Sequence, residues 1–237
     1  MGKVGSQSVL HSLKKKGLQA KHLHWLSNDR DSCEFMTKDE EVVQYLKNSD
    51  RAYKVIVLTR EPMGRNISAF FQRIRRWTGK RPEEMSSEEI CKDFINNYKV
   101  SYPDKWFDEE LHNYFGLNVY KDAFPVKKGY KIYNCGRHKI LIIRLESAGA
   151  KLDKALEELI GIQGIKMEKK GCYSDRKVGS DFIKKYKDIK SMPFPASFID
   201  KNYNLDYAKH FYSKKEIQTF KSKWKTNINT GQSNITL

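Results

Sequence analysis

The run Tyr53-Lys54-Val55-Ile56-Val57-Leu58-Thr59 constrains the fold more than any other stretch of the chain. It is the most β-branched segment, and its apolar side chains follow one another without alternation. A strand of that kind must be covered on both faces, the condition met in a parallel sheet. Lys139-Ile140-Leu141-Ile142-Ile143-Arg144-Leu145 is a second strongly apolar strand. Helical periodicity follows each run: Ile67, Phe70, Phe71 and Ile74 after the first, residues 152–160 closed by Gly161 after the second. Together these predict an α/β domain of three α/β/α layers around a central, mostly parallel sheet, with ligands at the carboxyl ends of its strands.

The remaining elements fit around this frame. Val9, Leu10 and Leu13 begin a first helix that Gly17 caps, and residues 18–26 read as a strand. Thr37 with Glu40 forms a capping box for a helix to about Asn48, and Ser86 with Glu89 does the same for one to about Asn97. Pro62 suits a helix start, and a helix within 101–116 ends near Gly116. Residues 117–138 read as a hairpin or an irregular insertion. Basic helical blocks at 179–190, 195–209 and 213–225 place extra helices in the C-terminal half. Residues 1–225 are expected to form one domain and 226–237 a polar tail.

Hydrophobic residues at 39% and aromatics at 12% support a real core in a chain of 237 residues. The net charge of +16 calls for an anionic partner or a broadly basic face. Arg73, Arg75, Arg76, Lys80 and Arg81 form its densest cluster, either a solvated face or a patch that steers an anion. Cys33, Cys91, Cys135 and Cys172 show neither a C-x-x-C pair nor metal-ligand spacing, so they read as reduced thiols and no metal is expected. No apolar run is long enough to span a membrane, no signal-peptide core is evident, and a cytoplasmic location is the expectation. The sequon at Asn66 agrees, because a glycan there would obstruct the site described next.

That site starts at the amino terminus. Gly2-Lys3-Val4-Gly5-Ser6-Gln7-Ser8 sets two glycines, a lysine and two hydroxyls directly before an amphipathic helix. Free N–H groups, the helix dipole and a lysine charge favour an anion at such a place. The same residues also suit a plain glycine-serine entry to a helix. The second element is Arg60-Glu61-Pro62-Met63-Gly64-Arg65-Asn66-Ile67-Ser68, with Arg60 at a strand end and Ser68 two turns into a helix. A planar guanidinium and a hydroxyl so spaced can converge on one phosphate.

Together these motifs resemble a sulfotransferase of the P-loop NTPase-like fold, whose donor is 3′-phosphoadenosine-5′-phosphosulfate. Lys3-Val4-Gly5-Ser6-Gln7-Ser8 is similar to that family's 5′-phosphosulfate loop, and the Arg60…Ser68 element looks like its 3′-phosphate motif. The resemblance implies that Lys3 contacts the phosphosulfate and that Val4, Gly5, Ser6, Gln7 and Ser8 cradle the 5′-phosphate. It further implies that Arg60 and Ser68 hold the 3′-phosphate, with Arg176 and Lys177 in a basic loop closing over it. Ile142-Ile143-Arg144-Leu145-Glu146 is similar to the family's Arg-Tyr-Glu strand end. Tyr203, Tyr207, His210-Phe211-Tyr212-Ser213 and Trp224 resemble the end of a bacterial group of capsular polysaccharide synthesis proteins. The family's loop follows a buried strand; here Met1 alone precedes Gly2, so that strand is expected upstream or is absent from the sheet.

Transfer of a sulfuryl group needs a base for the acceptor hydroxyl. His24 is the choice, supported by His22, since alternating residues of a strand share a face and histidine titrates near neutrality; the carbohydrate 2-O-sulfotransferases have a similar His-x-His. The pair also suits an ordinary basic surface strand, and Glu34 is a fallback base. Trp106, Phe107 and Asp108 suit either a sugar site or the core. A glycan hydroxyl is the expected acceptor, adenosine 3′,5′-bisphosphate the expected nucleotide product, and no specific nucleic acid the expected partner. Two other readings fit less well. A nucleic-acid-binding protein agrees with the charge but lacks a recognised module. A P-loop nucleotide kinase lacks Gly-x-x-x-x-Gly-Lys-Ser/Thr and an aspartate ending the first strand.

Overall fold

The computed structural model describes residues 1–23, 26, 37–168 and 179–225. In chain order its elements are α1 (Ser6–Lys15), α2 (Thr37–Asn48), β1 (Lys54–Thr59), α3 (Pro62–Gln72), α4 (Ile74–Thr78), α5 (Ser87–Asn97), α6 (Tyr102–Trp106), a π-helical turn (Phe107–His112) and α7 (Asn113–Phe115). There follow β2 (Tyr130–Cys135), β3 (His138–Arg144), α8 (Leu145–Ile160), α9 (Ser180–Ser191), α10 (Ala196–Tyr203), α11 (Asp206–Phe211) and α12 (Lys214–Lys225). The chain forms two compact units, one of Met1–Arg60 with Tyr102–Asp175, the other of Glu61–Ser101 with Arg176–Leu237.

The first unit holds a three-stranded sheet in the order β1-β3-β2. The predicted strands at 53–59 and 139–145 are both present, and they pair in parallel from Lys54↔Lys139 to Thr59↔Arg144. Central β3 carries Ile140, Leu141, Ile142 and Ile143, each 0% exposed. The 117–138 segment supplies β2, which pairs antiparallel with β3 from Tyr130↔Ile143 to Cys135↔His138. Gly136, at φ 55°, begins the two-residue turn between them, a position where an L side chain would be strained.

The sheet is therefore small and mixed, not the central, mostly parallel sheet expected from the sequence. Residues 18–23 are irregular, not a strand. The amide of Leu18 closes the end of α1 on Leu13 O (3.1 Å), and that of Gly17 on Lys14 O (2.9 Å), a paired closure in which Gly17 has φ 75°. Polar side chains at Gln19, Lys21 and His22 leave little apolar surface to hold a strand there. Helix α8 also starts earlier than predicted, at Leu145. Ala148 packs at 0% exposure in its first turns, and Leu152, Ala155, Leu156 and Leu159 continue the buried stripe. Burial there outweighs the helix-weakening Ser147 and Gly149.

In the second unit, Pro62 occupies the first turn of α3, and the Glu61 side chain caps it by accepting from Gly64 N (2.6 Å). The Ser86–Glu89 box caps α5 as predicted: Glu89 N donates to Ser86 Oγ at 3.1 Å and Ser86 N to Glu89 Oε2 at 2.7 Å. The bond from Ser86 N holds the Glu89 carboxyl below the usual range. Phe94 is the hub of the core, with ring centroids 5.2 Å from Phe70, 5.3 Å from Tyr98 and Phe198, and 5.9 Å from Phe194. The block predicted as one helix over 195–209 is two, α10 and α11, broken at Asn204, a residue that competes poorly for helix interiors.

A buried polar network crosses this unit. Tyr203 donates to Glu61 Oε2 (2.6 Å) and accepts from Trp224 Nε1 (3.1 Å). Asn66 Nδ2 donates to Asn202 Oδ1 (2.7 Å), while Arg65 NH1 donates to Asn66 Oδ1 (2.8 Å) and Tyr98 Oη (3.0 Å). Asn66 is 0% exposed, which places its sequon out of reach of a glycosylating enzyme once the chain has folded.

Two measurements test this packing. Leu141→Ala removes a fully buried side chain between two strands and should cost about 2–5 kcal/mol in urea unfolding; a cost under about 1 kcal/mol contradicts the sheet. Burial pushes the Cys91 thiol up to about 11, so little of it is thiolate at pH 8. Mass spectrometry after alkylation should find Cys91 modified only in denaturant, and equal labelling of the native chain contradicts its placement.

Candidate functional site

The first unit assembles the amino-terminal loop around the start of α1. Lys3 (φ 67°) and Gly5 (φ 87°) both take left-handed backbone, and Lys3 is the one non-glycine residue with positive φ among the described residues. Gly5 is the N-cap of α1. Its carbonyl accepts from Ser8 N (3.0 Å) and Val9 N (3.4 Å), so the amides of Ser6 and Gln7 precede the first intrahelical bond. No acidic residue lies in that first turn, and the positive end of the helix dipole is unopposed by its own sequence. Such a turn suits an anion.

Packing from neighbouring elements holds the loop. Met1 and Val4 are buried at 6% and 2% exposure, so Val4 offers only its backbone to a ligand. Leu145, opening α8 where β3 ends, packs on Gly5: a Cβ there would stand 2.6 Å from Leu145 Cδ1. Ser12 Oγ donates to Ser8 O (3.0 Å) and accepts from Glu168 N (3.1 Å), which ties α1 to the chain beyond α8. Arg60, following β1, donates from NH1 to Lys3 O at 3.1 Å. The two motifs are thus in direct contact at Lys3 and Arg60.

His22 joins them. Its Nε2 lies 2.7 Å from Ser6 Oγ, and its Nδ1 lies 3.1 Å from Gln7 Nε2. With Nδ1 accepting from the Gln7 amide, Nε2 carries the proton and donates to Ser6. Both ring nitrogens therefore brace the loop. His24, Glu34, Arg176 and Lys177 lie outside the described residues, as do the side chains of the Thr37 and Glu40 capping box at the start of α2.

Ser68 belongs to the second unit, on α3, at 1% exposure with its Oγ 2.7 Å from Tyr186 Oη. Arg73, Arg75, Arg76, Lys80 and Arg81 are exposed, the solvated alternative read from the sequence. Trp106 and Phe107 are buried at 5% and 1%, edge to face at 5.3 Å, whereas Asp108 is exposed. Arg144 is spent on structure: its NH2 donates to Val126 O (3.0 Å) and Ser147 Oγ (3.2 Å).

Sequence reasoning missed Glu110. It is 0% exposed, sits in the π-helical turn and accepts from the amide of Leu26, two positions after His24. An acidic residue between Asp108-Glu109 and Leu111 carries no signal of burial, because the extra residue of a π turn shifts the helical phase.

Fold and site together describe an α/β protein with a small mixed sheet and an anion-suited helix start beside a strand-end arginine. Residues 87–213, more than half of the chain, match the family model described as putative capsular polysaccharide synthesis protein. The chain belongs to that family. Neither the curated proteins nor the solved structures include a match. Among the described residues no helix is long and apolar enough to cross a membrane.

Gly5→Ala tests the loop. An L side chain in left-handed backbone costs about 1–2 kcal/mol, before Leu145 is displaced. Urea unfolding should show at least that loss, and unchanged stability contradicts the loop geometry.

Proposed function

We propose that the protein is a sulfotransferase that uses 3′-phosphoadenosine-5′-phosphosulfate to sulfate a hydroxyl of a glycan. The observation that carries this reading is the contact between the left-handed Lys3–Gly5 turn at the start of α1 and the guanidinium of Arg60 after β1. Membership of a capsular polysaccharide synthesis family supports a glycan as acceptor.

The residues present suit the donor chemically. The amides of Ser6 and Gln7, with the dipole of α1, would hold the 5′-phosphate, and Arg60 the 3′-phosphate. Ser68, Arg176 and Lys177 enter this reading on the sequence motif alone. When bound, the donor supplies an activated sulfuryl group whose transfer frees adenosine 3′,5′-bisphosphate. The Lys3 ammonium offsets the charge that grows on the departing phosphate oxygen, an electrostatic role that often dominates such reactions. His24 takes the proton of the acceptor hydroxyl as the new oxygen–sulfur bond forms, and His22 keeps Ser6 and Gln7 in place.

Saturating adenosine 3′,5′-bisphosphate, at about 100 times its Kd, should stabilise the chain by about 2.7 kcal/mol and raise Tm by several degrees. ATP with magnesium should not. Arg60→Ala should lose the shift, and His24→Ala should keep it while sulfate transfer to glycan stops. Absence of any shift in the unmodified protein defeats the proposal.

A further inference from the structure

Ser6 is the first residue of α1, and it carries two groups that can donate to an anion, its amide and its hydroxyl. A serine at a helix start commonly spends its hydroxyl on a nearby backbone amide. This one does not. No side-chain capping bond is made at the start of α1, and among the described residues the partner of Ser6 Oγ is His22 Nε2, at 2.7 Å.

Gln7, exposed at the next position, sets the sense of that bond. Its Nε2 only donates, so His22 Nδ1, 3.1 Å away, is the accepting nitrogen. A neutral imidazole then carries its proton on Nε2 and gives it to Ser6 Oγ. A hydroxyl has one hydrogen to donate. With His22 on a lone pair of the oxygen, that hydrogen has no acceptor among the described residues. A hydroxyl that accepts one hydrogen bond is also a stronger donor in the next. The hydroxyl and the amide of Ser6 branch from the same Cα, so oxygens of one phosphate can accept from both.

We propose that His22 is a positioning residue that makes the Ser6 hydroxyl a donor to the bound 5′-phosphate, acting through Ser6 and not on the ligand. The loop then offers donors alone: the amides of Ser6 and Gln7 and the Ser6 O–H. The ligand class it selects is an oxyanion with no proton of its own to give, a sulfate or a fully ionised phosphate. Naming the 5′-phosphate rests on the sulfotransferase reading; the donor role of Ser6 toward an oxyanion does not.

The test is a double-mutant cycle on the full chain, read by calorimetry with adenosine 3′,5′-bisphosphate and, separately, with inorganic sulfate. Ser6→Ala should weaken binding about tenfold or more, the size of a hydrogen bond to a charged group. His22→Asn keeps an acceptor near Nδ1 for Gln7 but does not reach Ser6. It should weaken binding about three- to tenfold, the effect of leaving one side chain to be ordered by the ligand. His22→Gln sets an amide N–H near the Nε2 position and should recover most of that loss. In a Ser6→Ala background, His22→Asn should change affinity by less than about twofold, whereas a brace acting only on the loop's shape would keep its full effect. ¹⁵N NMR of the unmodified, unliganded chain at pH 8 needs no variant and should find the His22 proton on Nε2. A proton on Nδ1, a His22→Asn effect that persists without the Ser6 hydroxyl, or His22→Gln as weak as His22→Asn overturns the inference. So does an unmodified chain that binds neither sulfate nor the bisphosphate. Sulfate binding that obeys the cycle without any bisphosphate shift upholds His22 and removes the sulfotransferase; a bisphosphate shift with an additive cycle does the reverse.

Discussion

The burial of β3 is the constraint from which the first unit follows. Four consecutive aliphatic side chains at 0% exposure cannot be left facing water on either side, so β1, β2 and α8 close around them. The parallel register then fixes where β1 ends, at Thr59 beside Arg144. Arg60 follows directly and reaches the Lys3 carbonyl. Leu145, at the far end of β3, packs on Gly5. The anion-suited turn is thus clamped from two strand ends that one apolar run holds side by side.

The second unit is organised differently, around aromatic rings and a buried polar network. Phe94 gathers four rings, and Glu61, Tyr203 and Trp224 form one hydrogen-bonded line while Arg65, Asn66, Asn202 and Tyr98 form another. Buried polar groups in low dielectric are costly unless satisfied, and a satisfied network makes a unique packing. Asn202, Tyr203 and Tyr98 fall within the residues matched by the family model, so part of what that model covers is this packing.

At the loop the electrostatics are simple. A helix start with no acidic first turn, a lysine two residues before the N-cap and an arginine on the lysine's own carbonyl concentrate positive charge on a short length of backbone. Gly5 is needed there twice over, for its left-handed φ and for the space Leu145 occupies. His22 bonds to this loop through both ring nitrogens, which suits it to bracing and leaves the base in the proposed reaction to His24.

Much of this was legible in the amino-acid order. The apolar runs marked β1 and β3, Pro62 and the Ser86–Glu89 box marked helix starts, and Gly17, Gly116 and Gly161 marked helix ends. Those signals are local: periodicity and capping act over three or four residues, and the side chains involved say so directly. The Lys3 and Arg60 motifs could be named separately for the same reason. Tertiary structure alone decided that β2 returns antiparallel, that residues 18–23 stay irregular, and that Glu110 is buried. It also brought Arg60 to Lys3 across 57 residues and Tyr203 to Glu61 across 142. Contacts at such separations depend on which apolar surfaces meet when the core forms, and no single stretch of sequence records that choice.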